Sequence, residues 1–366
     1  MIYFDNAATT PPISSPEIFY NPSSPHALGI KAERALRDAR KTITAALGLT
    51  ANPLPSPDEI TFTSGGTESN NLAILGYTLA NMRHSVNLIS APHEHPSILA
   101  PIRFAQERGW ATGETDLKAN CEVSGANLIC ISHVNHETGD INDIGTIAKE
   151  IKKNNPSAII HVDGAQGFCK EPISLHDIDM YSFSGHKCHG PTGTGGLWVR
   201  KGLRLTPFMH GGGQENHLRA GTENVAAIAQ MAEAAKTMSQ QLQTNHTHVA
   251  KLKTIMLGLQ NTLPDVHVNA LCESVSPYIL NMSFTGIKGE ILVHALSEKG
   301  IYVSMGAACN SRKRAPSALE VMGFSPEIAK SAIRFSFSPL NHVSEAEQAH
   351  DIVAETVKRL RHVIRK

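Results

Sequence analysis

The segment SFSGHKCHG, residues 182–190, gathers two serines, a lysine, a cysteine and two histidines directly after an apolar stretch. A lysine in that position can form a Schiff base with a carbonyl compound if its surroundings lower its pKa. Most lysines in loops, however, are simply solvated. Lys187 by itself therefore leaves both interpretations open, and other segments have to decide between them.

Two further segments suit the binding of charged groups. TSGGTESNN, residues 63–71, places glycines before a helix start, where backbone N–H groups bind anions, and Thr67 adds a hydroxyl. In HVDGAQG, residues 161–167, Asp163 follows a buried stretch, and a buried carboxylate needs a cationic partner such as a protonated pyridine nitrogen. The simpler alternatives are a tight turn in the first segment and a turn-capping aspartate in the second.

The segment PHEHPS, residues 92–97, contains two histidines. His95 is suited to stacking on a flat ring or transferring protons, and the alternatives are a hydrogen-bonded structural histidine or a metal ligand. A metal site is not expected, because zinc would need a third ligand from a distant segment. Together, a phosphate site, a carboxylate for a ring nitrogen, a Schiff-base lysine and a stacking histidine predict pyridoxal 5'-phosphate (PLP) as the cofactor.

The elements that must position these groups follow an α/β pattern. From Glu59 onward, short apolar stretches alternate with helix-length segments, which predicts a doubly wound, mostly parallel sheet covered by helices on both faces. The predicted strands are EITFTS (59–64), VNLIS (86–90), NLICISHV (127–134), AIIHVDG (158–164), DMYSFSG (179–185) and GGLWVR (195–200). Ligand sites in such sheets collect at the carboxyl ends of the strands, where the four segments lie.

Other parts of the chain predict helices and a second domain. An amphipathic helix is expected at 32–48, and a long helical segment from Ala226 to about Leu263. Beyond it the pattern changes to α+β, with YILNMSF, GEILVHALSEKG, IRFSFS and a C-terminal helix from about Ser344. We therefore expect a smaller domain toward the C-terminus.

Composition excludes several classes of function. The 366 residues are 41% apolar and 18% charged, and the 33 Lys plus Arg balance the 33 Asp plus Glu without a long run of one sign. This argues against a nucleic-acid or membrane surface as the main function. No signal-like start, bilayer-length apolar run or CxxC motif is present, so we expect a cytoplasmic protein with reduced cysteines.

The chain resembles the cysteine desulfurases of the NifS/IscS type, which belong to the class V aminotransferases among the fold-type I PLP enzymes. The matching segments include YFDNAATTPP, NPSS, FTSGGTESNNLAI, HVDGAQ, SFSGHK, GPTGTGGLWVR, HGGGQE, LRAGTENV, ILNMSF, GAACNS and IRFS. The resemblance implies a mostly parallel seven-stranded sheet in a large PLP-binding domain at 15–258. Residues 1–14 and 259–366 should form the smaller α+β domain, with a mobile loop at about 304–317.

The resemblance also implies roles for residues in the matching motifs. Lys187 should form the Schiff base with PLP, Asp163 should bind the ring nitrogen and Gln166 the ring hydroxyl. His95 should stack on the ring and help to move protons. His136 stands where the family usually has an asparagine that contacts the ring hydroxyl, and imidazole can also donate a hydrogen bond there.

Further implied roles concern the phosphate and the substrate. The phosphate should be held by Gly66, Thr67, Ser184 and His186. Thr222 should reach the phosphate of the other subunit in a homodimer. Arg334 should bind the carboxylate of the substrate, L-cysteine, and Asn21 should lie near the substrate.

The resemblance makes Cys309, in SMGAACNSRKRAPSALE at 304–320, the nucleophile that carries sulfur. A nucleophilic cysteine needs thiolate character and access, and small residues surround Cys309. The basic run 312–314 would favour the thiolate, unless it is only a solvated turn. The implied reaction removes sulfur from L-cysteine and yields L-alanine and a Cys309 persulfide, which passes to an iron–sulfur scaffold protein or a thiolation enzyme.

Some features depart from the family pattern and leave alternatives open. The segment between TTPP and NPSS is shorter than usual, which predicts that an N-terminal helix is missing. The chain ends soon after its last helix, without the longer tail with which some members dock a scaffold protein, and this leaves that partner open. A selenocysteine lyase would use the same cofactor site, whereas an aminotransferase would leave Cys309 without a purpose. A non-catalytic sulfur-trafficking protein is the remaining alternative, although Lys187, Asp163 and Arg334 are all retained.

Overall fold

The computed structural model describes residues 2–4, 20–49, 59–113, 125–305 and 316–364. Within them the strands are β1 (Ile2–Tyr3), β2 (Ile60–Thr63), β3 (Val86–Ser90), β4 (Ala111–Thr112), β5 (Leu128–Ser132), β6 (Ile159–Asp163), β7 (Met180–Ser184), β8 (Gly195–Val199), β9 (Val266–Val268), β10 (Ile279–Phe284), β11 (Ile301–Tyr302) and β12 (Ala332–Ser336). The helices are α1 (Ala27–Ala46), α2 (Gly66–Ala80), α3 (Pro96–Glu107), α4 (Ile144–Asn154), α5 (Val225–Gln240), α6 (Leu242–Leu257), α7 (Leu259–Thr262), α8 (Gly289–Ser297), α9 (Ala318–Val321), α10 (Pro326–Lys330) and α11 (Val343–Ile364).

The chain divides into two compact units. The large unit comprises Pro11–His133 and Asn142–Gln240. The small unit comprises Met1–Thr10, Val134–Ile141 and Gln241–Lys366. Each unit has its own hydrophobic core.

The large unit is built on a seven-stranded sheet with the strand order β2-β8-β7-β6-β5-β3-β4. Strands β4, β3, β5, β6 and β7 are parallel, and β8 runs antiparallel to its neighbours β7 and β2. Every residue of β5 and β7 is buried, as expected for strands covered on both faces. The predicted α/β fold with a mostly parallel seven-stranded sheet is confirmed.

Six observed strands of this sheet lie within the six segments that the apolar pattern predicted to be strands. They are β2, β3, β5, β6, β7 and β8. Strand β4 was missed, because its two residues are placed only by pairing with β3 and carry no pattern of their own. Helix α1 starts at Ala27, earlier than the predicted residue 32, since His26 Nδ1 caps it by accepting from Gly29 N at 3.1 Å. Its apolar face, including Leu36 and Ile43, is buried.

The small unit contains a three-stranded antiparallel sheet, β12-β10-β9, and the parallel pair β1-β11. Its core includes Leu252 of α6, Leu292 of α8, Phe335 of β12 and Val353 of α11. The predicted C-terminal helix is α11. The C-terminal α+β pattern read from the sequence is therefore present.

The long helix expected from Ala226 to about Leu263 is interrupted. Gln241 has φ −103° and ψ 13°, which ends the regular helix between α5 and α6, and α7 follows after Gly258. The interruption coincides with the division between the units, so α6 belongs to the small unit. The segment 134–141 also belongs to the small unit. The domain limits implied by the resemblance, with a large domain at 15–258, differ from this division and stay a prediction, because local patterns do not show which core a helix or loop joins.

No helix in the described parts of the chain is both long enough and apolar enough to span a bilayer.

Candidate active site

Several predicted site residues lie at the carboxyl ends of strands in the large unit. Asp163 is the last residue of β6, Ser184 is the last residue of β7, and His95 follows β3. Because β3, β6 and β7 are parallel, these side chains share one edge of the sheet. Gly66 begins α2 directly after β2.

Lys187 lies in a short 3-10 helix, Gly185–Lys187, that continues from β7. Its side chain is half-buried. Nearby, His186 Nδ1 lies 3.0 Å from Ser184 Oγ. Burial, helped by the charges of Lys187 and Lys170, lowers the pKa of His186 to about 4, so this imidazole is neutral at pH 7.

The start of α2 adjoins Ser184 and forms a cradle of donors. Gly65, which precedes α2, has φ +153°, a conformation that favours glycine, and no side chain caps the helix. The first N–H groups of α2 have no acceptor within the helix. A Cβ added to Gly66 would lie 3.7 Å from Ser184 Cβ, while Thr67 beside it is exposed. N–H groups of this kind suit an anion, and the phosphate-binding roles of Gly66, Thr67, Ser184 and His186 stay predictions.

Asp163 is a buried carboxylate, only 6% exposed, with both oxygens in hydrogen bonds. Its Oδ1 accepts from Ala165 N at 3.0 Å, and its Oδ2 accepts from Asn70 Nδ2 at 2.8 Å. None of the ion pairs formed within the described residues includes Asp163. A buried carboxylate of this kind suits a cationic ring nitrogen.

Gln166 and His95 are each oriented by a neighbour. Gln166 is buried, and its Oε1 accepts from Nζ of the buried Lys170 at 3.5 Å. The carbonyl oxygen of the amide therefore faces Lys170, and the NH₂ group faces away from it. His95 caps α3, and its Nδ1 accepts from Ser97 N at 3.1 Å. The structure therefore brings His95, Asp163, Gln166 and the segment around Lys187 to the same unit and the same sheet edge. Their roles stay predictions.

Thr222 and Asn21 are exposed, and no hydrogen bond between described residues joins either to this cluster. Arg219 pairs with Glu68 of α2 at 2.9 Å and holds the segment before Thr222. Asn21 Oδ1 accepts from Ser23 N at 2.9 Å. Their predicted roles stay predictions.

In the small unit, the structure brings His136 and Arg334 together. Arg334 is 7% exposed on β12, and its Nη1 donates to the backbone oxygen of His136 at 2.5 Å. Asn135 Oδ1 accepts from Glu137 N at 2.8 Å and shapes the loop around His136. Ser304 pairs with Arg334 through two backbone hydrogen bonds of 2.7 and 3.1 Å, at the start of the segment predicted to carry the nucleophile. Cys309 itself and the basic run 312–314 lie outside the described residues.

The comparisons with known proteins agree with this architecture. A model described as Aminotransferase class-V matches residues 2–348. The chain belongs to this family. Within it, a NifS/IcsS protein homolog from Lactobacillus delbrueckii subsp. bulgaricus is 35% identical over 395 residues, covering 99% of this chain and 100% of the relative. Cysteine desulfurase IscS from Buchnera aphidicola subsp. Acyrthosiphon pisum is 35% identical over 387 residues, covering 98% of this chain and 93% of the relative.

Two solved structures extend the match to the fold. A NifS-like protein superimposes with a TM-score of 0.89 at 31% identity, covering 98% of this chain and 99% of that chain. A NifS-like protein from Rickettsia africae gives a TM-score of 0.84 at 29% identity, with the same coverage of 98% and 99%. The resemblance to the NifS/IscS type that the motifs indicated is confirmed.

Sequence reasoning missed three buried polar residues at this class V site. Glu94 precedes His95, Lys170 contacts Gln166, and Asn70 contacts Asp163. Glu94 could have been singled out because it lies within PHEHPS, next to His95. Nothing in the local sequence, however, shows that its carboxyl group is buried. Among the described residues, no group of three or more His, Cys, Asp or Glu could hold a metal ion.

Proposed function

We propose that the protein is a PLP-dependent cysteine desulfurase, which removes sulfur from L-cysteine, releases L-alanine and carries the sulfur as a persulfide on Cys309. The observation that carries this proposal is the buried Asp163, held by two hydrogen bonds at the sheet edge that also bears Ser184 and Lys187. Relatives named cysteine desulfurase support the same activity.

The residues of the large unit fit PLP. The first N–H groups of α2 are donors for its phosphate. Ser184 and the neutral His186 share one hydrogen bond, so this pair has one further proton to donate to the phosphate, from either the hydroxyl or the imidazole. Asp163 supplies a buried negative charge for the ring nitrogen, and Gln166 an amide for the ring hydroxyl. Lys187 supplies the amine for its aldehyde. When bound, PLP provides an electron sink for the α-carbon of an amino acid.

The chain's own residues then have separate tasks. Lys187 Nζ takes and returns the proton at the substrate α-carbon. Arg334 binds the substrate carboxylate, because a guanidinium contacts both carboxylate oxygens at once. The Cys309 thiolate attacks the substrate sulfur, so that an S–S bond forms on the protein and the C–S bond of the substrate breaks. The remaining carbon skeleton takes up protons and leaves as alanine.

The partners follow from the same proposal. The protein would act as a cytoplasmic homodimer in which Thr222 of each subunit binds the phosphate in the other subunit's site. Its exposure supports this role. His136 would contact the ring hydroxyl, and Asn21 would lie near the substrate. An iron–sulfur scaffold protein or a thiolation enzyme would accept the persulfide sulfur.

The test is alanine release from L-cysteine by the purified, PLP-loaded protein in the presence of a reductant. Cys309→Ser should release little alanine. Cys272→Ser is the matched control, because Cys272 is an exposed cysteine of the small unit whose thiol contacts Asp140 and Ser274. This control should match the wild type.

The desulfurase proposal is wrong if the PLP-loaded wild type releases no alanine from L-cysteine. Turnover of selenocysteine but not cysteine would replace it with selenocysteine lyase activity. Equal alanine release by Cys309→Ser and the wild type would leave the activity in place and remove the role of Cys309.

A further inference from the structure

Asn70, in the first turns of α2, lies at the centre of a buried hydrogen-bond network. It is 1% exposed. Its Nδ2 donates to Asp163 Oδ2 and to Ser97 Oγ, both at 2.8 Å. Its Oδ1 accepts from Ser182 Oγ at 2.6 Å and lies 3.0 Å from His161 Nε2. The side chain thus uses both of its donors and both acceptor positions, which is the full capacity of an amide.

The orientation of this amide is fixed by its neighbours. Asp163 is a carboxylate that can only accept, so the NH₂ side of Asn70 has to face it. The oxygen side then faces His161, whose Nε2 must carry its proton. Burial lowers the pKa of His161 to about 4, which agrees with a neutral ring that carries one proton. Turning the amide around would oppose two oxygens at Asp163.

The same network reaches His95 through Ser97. Ser97 Oγ accepts a hydrogen bond from Asn70 Nδ2 and lies 2.7 Å from His95 Nδ1. The backbone N–H of Ser97 also donates to this Nδ1 at 3.1 Å, so Nδ1 has to be an acceptor. The hydroxyl proton of Ser97 therefore points to Nδ1 as well. The neutral ring of His95 must then carry its proton on Nε2.

We propose that Asn70 is a positioning residue that links Asp163 to His95. The relay Asp163–Asn70–Ser97–His95 fixes the carboxylate of Asp163 and adds a second hydrogen bond, from Ser97 Oγ, to the backbone N–H bond that holds His95 in the tautomer protonated on Nε2. The inference rests on the proposed function, in which Asp163 meets the PLP ring nitrogen and His95 stacks on the ring. Two groups that would touch the cofactor, one at the end of β6 and one at the start of α3, are thereby joined through one amide.

The test is a double-mutant cycle on the PLP-loaded protein, with Asn70→Ala, Ser97→Ala and the double variant. Three quantities are measured: the PLP dissociation constant on reconstitution, the visible circular dichroism of the bound cofactor, and kcat for alanine release. Each single variant should lower kcat by about 10- to 100-fold and change the circular dichroism. The double variant should lose no more than the worse single variant, because both break one relay.

Asn81→Ala is the matched control, since Asn81 follows the last turn of α2 and, among the described residues, its Nδ2 donates only to Tyr77 O, at 2.8 Å. It should leave the dissociation constant and the dichroism unchanged. Ser97→Ala removes only a hydroxyl and keeps the N–H bond to His95, so it tests the relay even if Asn70→Ala fails to fold.

The outcomes separate the two proposals. The relay is overturned if the effects of Asn70→Ala and Ser97→Ala on kcat multiply in the double variant. It is also overturned if both single variants leave the circular dichroism of the bound cofactor unchanged. If the wild type binds PLP and the cycle shows coupling but no alanine is released, only the proposed function fails. A wild type that binds no PLP overturns both.

Discussion

Glu94→Gln should change how the stability of the protein depends on pH. Glu94 is 4% exposed, and its Oε1 accepts from Ser132 N at 3.0 Å and from Ser132 Oγ at 3.3 Å. Its Oε2 has no hydrogen-bond partner among the described residues. Burial raises the pKa of this carboxyl from its ordinary 4.5 to about 8, opposed by the hydrogen bonds from Ser132 and helped by the charge of Asp163.

The sign of the effect follows from the raised pKa. The folded protein favours protonated Glu94. The stability gained from this protonation is fully present below about pH 4.5, and it is lost as the pH rises through about 8. A pKa difference of this size corresponds to about 5 kcal/mol in total. About 3 kcal/mol of this loss should fall between pH 6 and pH 9.

The assay is denaturant unfolding of the PLP-loaded protein at a series of pH values from 6 to 9. Glutamine keeps the size of Glu94 and an oxygen that can accept from Ser132, but it cannot ionise. Relative to the wild type, Glu94→Gln should therefore gain about 3 kcal/mol of stability between the two ends of the series. Glu150→Gln, which removes an exposed carboxylate on α4, is the matched control and should run parallel to the wild type.

If the stability of Glu94→Gln also runs parallel to that of the wild type from pH 6 to 9, the buried carboxyl does not ionise in this range. The argument from burial would then be refuted.

Two other substitutions test the packing of the large unit by denaturant unfolding. Arg40→Ala should cost about 3–5 kcal/mol, because it leaves the carboxylate of Glu215, whose side chain is 1% exposed, without its arginine. Gly164→Ala should cost about 1–3 kcal/mol, because the new Cβ would lie 2.0 Å from Cζ of the fully buried Tyr181.

Both substitutions have controls in the same unit. Arg37→Ala removes an exposed ion pair with Glu33 and should cost at most about 1 kcal/mol. Gly145→Ala lies in the first turn of α4, where a Cβ meets atoms no closer than 3.6 Å, and should not destabilise the protein. If Arg40→Ala costs as little stability as Arg37→Ala, the argument from the buried carboxylate of Glu215 is wrong. If Gly164→Ala costs as little as Gly145→Ala, the argument from the close contact with Tyr181 is wrong.

The sequence alone determined the strands of the large sheet other than β4, and most of the residues considered for the cofactor site. A strand buried on both faces needs consecutive apolar residues, and that requirement is local, so β5, with the sequence LICIS, could be located from its own residues. The same holds for Asp163, which is the last residue of β6, and for Lys187, which ends the short 3-10 helix after β7. The motifs around them carried the family resemblance that the comparisons confirmed.

The tertiary structure alone decided where the long helical segment breaks and which side chains meet. Gln241 is not marked as a helix end by its type, and the break appears because α5 and α6 join different cores. Asn70 and Asp163 are 93 residues apart, and Asn70 and Ser182 are 112 residues apart. Such pairs depend on the order of strands in the sheet. A residue's own neighbours in sequence carry no record of that order, whereas the hydrogen bonds that orient the site depend on it entirely.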